Sequence, residues 1–168
     1  MNNRALELLK ESEGCRLQAY KDSADIWTIG YGATYYENYK KVQEGDMISQ
    51  EGAERLLLFH IDETDKAVKR LVFDVCLPQQ CIDALVVLVF NIGITAFAKS
   101  TLYKKIKENK SNLDAIEKEW NRWVYSNGKK LKGLEVRRKK EFELYKQGIL
   151  NLYTKTEIYD KFHKCNMK

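Results

Sequence analysis

The stretch EGCRLQAYKDSADIWTIGYGAT, Glu13 to Thr34, decides how the rest of the chain is read. It holds two carboxylates, Glu13 and Asp22, and then Thr28 at the head of a glycine-punctuated aromatic run, Thr28-Ile29-Gly30-Tyr31-Gly32. Hydrolysis of a glycosidic bond commonly uses two carboxyl groups, one protonating the leaving oxygen and one serving the opposite face of the sugar. The acids alone would equally describe two surface carboxylates on a solvated hairpin, so their surroundings matter. Leu17 and Ala19 alternate with polar residues, Ser23-Ala24-Asp25 reads as a turn, and Ile26 to Tyr31 is rich in β-branched and aromatic types. Residues 15–46 therefore predict a small antiparallel sheet, with Tyr35, Tyr36, Tyr39, Lys40, Lys41 and Gly45 in a largely polar loop region. Upstream, Ala5, Leu6, Leu8 and Leu9 fall at helical spacing behind a cap at Asn2 or Asn3, and Gly14 suits the position just past the helix end. Glu13 then sits at a helix C-terminus. The macrodipole disfavours an anion there, which favours the protonated form a general acid needs. A pairing with Arg16 would weaken that effect.

These residues resemble the active-site segment of the phage-type lysozymes, the endolysins of glycoside hydrolase family 24. The matching residues are Glu13-Gly14, Arg16-Leu17, Tyr20, Asp22 and Thr28 to Gly32, without a gap. The resemblance extends to Phe90-Asn91-Ile92-Gly93 and to the closing segment GLEVRRKKEFELY, Gly133 to Tyr145, and covers roughly residues 3–146. It implies Glu13 as the acid, Asp22 as base or charge stabiliser, Thr28 as water holder, and substrate contacts at Thr34, Phe90, Asn91 and Ser100, with Thr101 the alternative to Ser100. Two positions depart from the family. Asp25 stands where glycine is frequent, and aspartate tolerates a positive φ better than most residues. Ala33 stands where many relatives carry histidine, so the contact between lobes that the histidine would make is in doubt.

Further along, Ser49 reads as an N-cap with Glu51 and Glu54 behind it, and Ala53, Leu57, Ile61, Thr64, Val68 and Leu71 trace one face of a helix of roughly twenty residues. His60 within it reads as a surface or packing residue rather than a ligand. Pro78 suits a first helical turn. Cys81 to Phe90 is apolar nearly all round except for Asp83, which predicts a buried central helix ending at Asn91, a residue able to bond an acetamido group or to cap the helix. Phe97 to Ile106 follows. Ser111 or Asn112 caps a helix with Leu113, Ile116, Trp120, Trp123 and Val124 on one face, which Ser126-Asn127-Gly128 breaks. The closing helix turns Leu134, Phe142 and Tyr145 inward. Two segments result, a lysozyme domain over 1–146 and an extension over 147–168 with no family counterpart.

Composition narrows the classes. The chain has 168 residues, one proline, 44% hydrophobic and 32% charged residues, a profile of one folded unit rather than of disorder. The longest apolar run, Leu85 to Phe90, is far short of a membrane span. The N-terminus reads as an amphipathic helix, not a signal peptide. Cys15, Cys76, Cys81 and Cys165 give no disulfide framework, and with His60 and His163 no zinc spacing, so free thiols are expected. Charge is uneven: residues 1–100 carry 11 Lys/Arg against 15 Asp/Glu, and residues 101–168 carry 18 against 9. A basic half suits a solvated helical surface, nucleic acid, or attraction to a polyanionic envelope.

The expected fold is α+β and lysozyme-like, mainly helical, with a small N-terminal hairpin lobe and a cleft between lobes. The resemblance implies hydrolysis of the β-1,4 bond between N-acetylmuramic acid and N-acetylglucosamine in peptidoglycan, with inversion, no cofactor and no metal. It also implies a monomer made in the host cytoplasm that reaches the periplasmic wall through a holin, without binding nucleic acid or membrane. Two alternatives stand beside it. A lytic transglycosylase cleaves the same bond with one acid, and Asp22 and Thr28 argue against it. A basic nucleic-acid-binding protein would need a recognition motif, which the sequence lacks.

Overall fold

The computed structural model describes residues 1–165 apart from Ser23 and Asn127, and side chains as far as Thr154. Seven helices and two short hairpins are described: α1 (Asn3–Glu13), β1 (Arg16–Lys21), β2 (Trp27–Gly30), α2 (Gln50–Val72), α3 (Gln79–Ile92), α4 (Ile94–Lys99), α5 (Thr101–Glu108), α6 (Leu113–Trp120), β3 (Tyr125–Ser126), β4 (Lys129–Lys130) and α7 (Lys132–Cys165). A single 3-10 turn, Phe73–Val75, leaves α2. The α+β architecture with a small hairpin lobe is as expected.

The helices start where side chains satisfy their free N–H groups. Asn2 Oδ1 accepts from the Ala5 N–H, Ser49 Oγ from Gly52 and Asn112 Oδ1 from Ala115. At the other end of α1, Gly14 takes φ 67° and its N–H donates to the Lys10 carbonyl, so Glu13 is the last helical residue. In α2, Ala53, Leu56, Leu57, Ile61, Val68 and Val72 are buried, and the helix runs 23 residues from the small lobe to the large one. α3 is the buried centre. It packs against α7, α2 and α1, and every residue from Asp83 to Val89 is buried. The one acid in that run, Asp83, has partners: its Oδ2 accepts the Asn2 N–H and its Oδ1 accepts from Gln79 Nε2, which docks the start of α1 on α3.

The small lobe is an antiparallel pair with Tyr20 opposite Thr28 and Lys21 opposite Trp27, irregular between Arg16 and Tyr20. The outer edge of β1 bonds to the 46–48 segment, through Ala19 N–H to the Asp46 carbonyl and Ile48 N–H to the Leu17 carbonyl. The lobe has its own small core of Ile29, Ala33, Val42 and Leu56. Gly30, at φ 62°, ends β2 in a conformation that favours glycine and lies against Ala53 of α2.

Phe97 to Ile106 spans two helices, because Ser100 takes an extended conformation between α4 and α5. One expectation needs revision. The helix after Asn112 stops at Trp120, which leaves Trp123 and buried Val124 in the chain that enters the β3–β4 hairpin, an element the sequence reading treated only as a break. The turn residues Ser23 and Asn127 lie outside the described residues, as do the side chains of His163 and Cys165. Beyond residue 146, α7 continues without interruption. Gly148 lies against α3, where a Cβ would come within 2.6 Å of Cys81 Sγ, and Ile149 is buried, so the core reaches past residue 146. Cys15, Cys76 and Cys81 are free thiols, and burial pushes Cys81 up to about 12.

Candidate active site

Glu13 closes α1 against two distant pieces of chain. Its Oε1 lies 2.8 Å from Arg137 Nη2, and its Oε2 would be 3.8 Å from a Cβ on Gly32. Oε1 is buried, yet among the described residues it accepts no hydrogen bond, so its contact with Arg137 is an ion pair without one. The partner is not Arg16, whose guanidinium lies over the Tyr20 ring at 4.3 Å. The sequence argument for an acid opposed only by its own helix end therefore does not hold. A guanidinium from the closing helix faces it.

Beneath this contact is a buried ionic cluster. Arg138 and Glu141 are fully buried and Arg137 nearly so. Glu141 Oε1 accepts from Arg137 Nε at 2.9 Å and from Arg138 Nη2 at 3.0 Å, while its Oε2 accepts from Trp120 Nε1 at 3.1 Å. Arg138 Nη2 also donates to Asn91 Oδ1 at 2.8 Å. Burial pushes Arg138 down to about 10, which leaves it charged at neutral pH. Burial likewise pushes the Glu141 carboxyl up from the usual carboxylate range, against the pull of the two guanidiniums and the indole N–H.

Asp22 and Thr28 sit at the far end of the hairpin lobe. Asp22 is half-buried, and its Oδ1 accepts the N–H groups of Ala24 and Ile26 at 2.8 and 3.0 Å. Among the described residues, neither bond involves Oδ2. Asp25 supplies the positive φ that this turn needs, 62°, with Lys21 paired to it at 2.8 Å. Thr28 is 3% exposed, and its hydroxyl donates to the Ile26 carbonyl, which leaves its lone pairs to accept.

A cleft of about 350 Å³ opens between the lobes. Thr34 and Phe90 face it together with Tyr35, His60 and Glu63, and Gly32 borders both the cleft and Glu13. His60 packs edge-on against Tyr35, and Glu63 Oε2 accepts from the Tyr35 hydroxyl at 2.8 Å. That bond joins the hairpin lobe to α2, two residues along from Ala33. Asn91 lies apart from these, in a second groove with Trp123, Tyr125 and Leu134, and neither caps α3 nor leaves its Oδ1 unbound. Ser100 is elsewhere again. Its hydroxyl caps α5 by accepting the Tyr103 N–H and donates to the Phe97 carbonyl. The structure thus groups Thr34 with Phe90 and separates Asn91 and Ser100 from them.

Sequence reasoning missed Arg137, Arg138 and Glu141 as site residues. A signal was present: Arg138, Phe142 and Tyr145 fall on one helical stripe, so the stripe expected to face the core carries an arginine, with Glu141 three positions on. A charge on a core stripe needs a buried partner.

Comparison with known proteins agrees with this geometry. The family model described as phage lysozyme matches residues 10–141. The endolysin of Acyrthosiphon pisum secondary endosymbiont phage 1 is 40% identical over 149 residues, which is 86% of this chain and 97% of that protein. The endolysin of Bacillus phage B103 is 34% identical over 163 residues, 96% of this chain but only 59% of that longer protein. Among solved structures, the endolysin from Escherichia coli O157:H7 phage FAHEc1 superposes with a TM-score of 0.73 at 36% identity, covering 86% of this chain and 91% of that one. The chain belongs to the phage lysozyme family and is a glycoside hydrolase of the lysozyme type.

Proposed function

We propose that this phage lysozyme acts as an endolysin that hydrolyses the β-1,4 bond between N-acetylmuramic acid and N-acetylglucosamine in peptidoglycan. The observation that carries the proposal is the placement of Glu13, with one oxygen buried on Arg137 and the other against Gly32 at the edge of the interlobe cleft. Glu13 protonates the leaving oxygen. Asp22 keeps its geometry through two backbone N–H groups on Oδ1, so Oδ2 is the oxygen that takes a proton from water. Thr28 holds that water by accepting from it, since its own proton is spent on the Ile26 carbonyl. Attack by water from the face opposite the acid inverts the anomeric centre. Thr34 and Phe90 form the sugar-facing wall, and Asn91 extends it along the second groove.

No described helix is long and apolar enough to cross a membrane. The enzyme acts as a monomer. It is made in the host cytoplasm, released by a holin-type partner, and works on the periplasmic wall, to which its basic second half is drawn. Residues 1–146 form the catalytic domain, and the described residues beyond it, 147–165, continue α7. Digestion of purified wall in heavy-oxygen water tests the chemistry. One solvent oxygen is expected at every new reducing end. Products that end in anhydromuramic acid without solvent oxygen would replace the hydrolase with a transglycosylase.

A further inference from the structure

We infer that Glu141 is a positioning residue that acts on Glu13 through Arg137. The inference rests on the reading of Glu13 as the acid. Glu141 touches no substrate-facing space. It is fully buried one helical turn beyond both arginines, with Trp120 Nε1 and the two guanidiniums filling its oxygens. It grips Arg137 by Nε, which leaves the Nη2 end to face Glu13 and to reach the Val87 carbonyl at 3.4 Å. The same carboxylate fixes Arg138, whose other contact is Asn91. One buried anion therefore orients a group on the acid and a group on the second groove.

Stability alone does not explain this arrangement. Buried ion clusters are weak contributors to stability, and well-packed apolar residues commonly replace them at no loss. The charge balance suggests a use. With Glu13 ionised, Glu13 and Glu141 offset Arg137 and Arg138. With Glu13 protonated for catalysis, Glu141 is the one anion left paired with the two guanidiniums among the described residues. Charges on its own helix are already engaged, Lys10 with Glu54 and Glu11 with Lys140, and on the hairpin side the uncharged Gly32 lies against Glu13. Loss of the Glu141 charge would leave Glu13 as the sole anion facing two cations and so favour its carboxylate form.

The test is wall lysis against pH, with kcat and KM from soluble glycan fragments, normalised to folded protein by near-UV circular dichroism. Glu141→Gln should shift the descending limb of the pH profile to lower pH and reduce kcat by about 10²-fold, as for a misplaced catalytic group, with little change in KM. Glu141→Asp keeps the charge but is one methylene too short to span both arginines, so kcat should fall while the limb stays in place. If Glu141→Gln does not fold, Glu141→Asp carries the test alone. Unchanged kcat per folded molecule, or for Glu141→Gln an unmoved limb, overturns the inference. Glu13→Gln is the control. If it remains active, the acid assignment itself fails. If it is inactive while the Glu141 variants behave as wild type, only the present inference fails.

Discussion

The two sides of the site are held in opposite ways. On the hairpin side, Asp22 is fixed by N–H groups two and four residues along the chain, and Thr28 by the carbonyl of Ile26. On the helical side, Glu13 ends one helix and meets an arginine near the start of α7, which is anchored in a buried cluster with Trp120 and Glu141. The first arrangement is local, with Asp22 half-exposed and Thr28 buried beside it. The second is long-range, buried and ionic. Local geometry tolerates single substitutions, whereas a buried ion cluster penalises the loss of any member.

This difference should show when each carboxylate is replaced by its amide. Glu13→Gln and Asp22→Asn should both reduce wall lysis by about 10²–10⁴-fold, since each removes a proton-transfer group. Their stabilities should diverge. Asn retains the carbonyl oxygen that accepts from Ala24 and Ile26, so Asp22→Asn should change stability by less than about 0.5 kcal/mol. Glu13→Gln leaves Arg137 with one counter-charge fewer. Its cost should be measurable but below the roughly 3–5 kcal/mol of a fully broken buried pair, because Glu141 remains. Thermal melts beside turbidity assays decide it. Equal melting shifts for the two variants would break the comparison.

The same division explains what the sequence revealed. The helix stop at Gly14, the turn before Ile26, the aspartate that accepts positive φ and the Ser49 cap all depend on near neighbours, and they were legible. The Arg137 contact to Glu13, the Tyr35 bond to Glu63 and the separation of Asn91 from Thr34 depend on how helices distant in sequence come together. Nothing in a residue's own neighbourhood encodes that. The unread hairpin at Tyr125 to Lys130 is a different case: its strands are two residues each, too short for alternation to register.

Next in size is a pair of backbone tests, one on each side. Gly148→Ala places a methyl into the α7–α3 contact beside Cys81 Sγ and N, at 2.6 and 3.0 Å, and α7 must move. The overpacking cost of about 1–3 kcal/mol should exceed the gain of at most about 1 kcal/mol in helix propensity. Asp25→Ala forces a less tolerant residue into φ 62° and should cost about 1–2 kcal/mol, whereas Asp25→Gly should not. Urea unfolding should give a lowered midpoint for Gly148→Ala. For Asp25→Ala, hydrogen exchange should rise first in the hairpin. If Asp25→Gly proves as unstable as Asp25→Ala, the Lys21 contact rather than φ is what Asp25 supplies.

The smallest effect is pH-dependent and concerns the link between the lobes. The Tyr35 hydroxyl donates to Glu63, and burial, followed by that bond and the Glu63 charge, pushes its phenol up from 10.0 to about 12. A phenol that ionises at higher pH folded than unfolded gives stability that is complete below its unfolded value and disappears as pH rises through its folded value. The stability gap between wild type and Tyr35→Phe should therefore be constant up to about pH 10 and close by about pH 12. Below pH 10 its size should be about 1 kcal/mol, at or under the low end for a hydrogen bond to a charged acceptor, because the pair is partly solvated. Tyr36, raised to about 12 in the same order of causes with Asp46 as acceptor, lies within the hairpin lobe and should show the same pH window. The two differ in what they join. Only Tyr35→Phe should loosen the hairpin lobe from α2, and so alter the KM for wall fragments as well as the melting point. If Tyr36→Phe changes KM equally, the interlobe bond has no special part in shaping the cleft, and the place left by Ala33 is not filled by Tyr35.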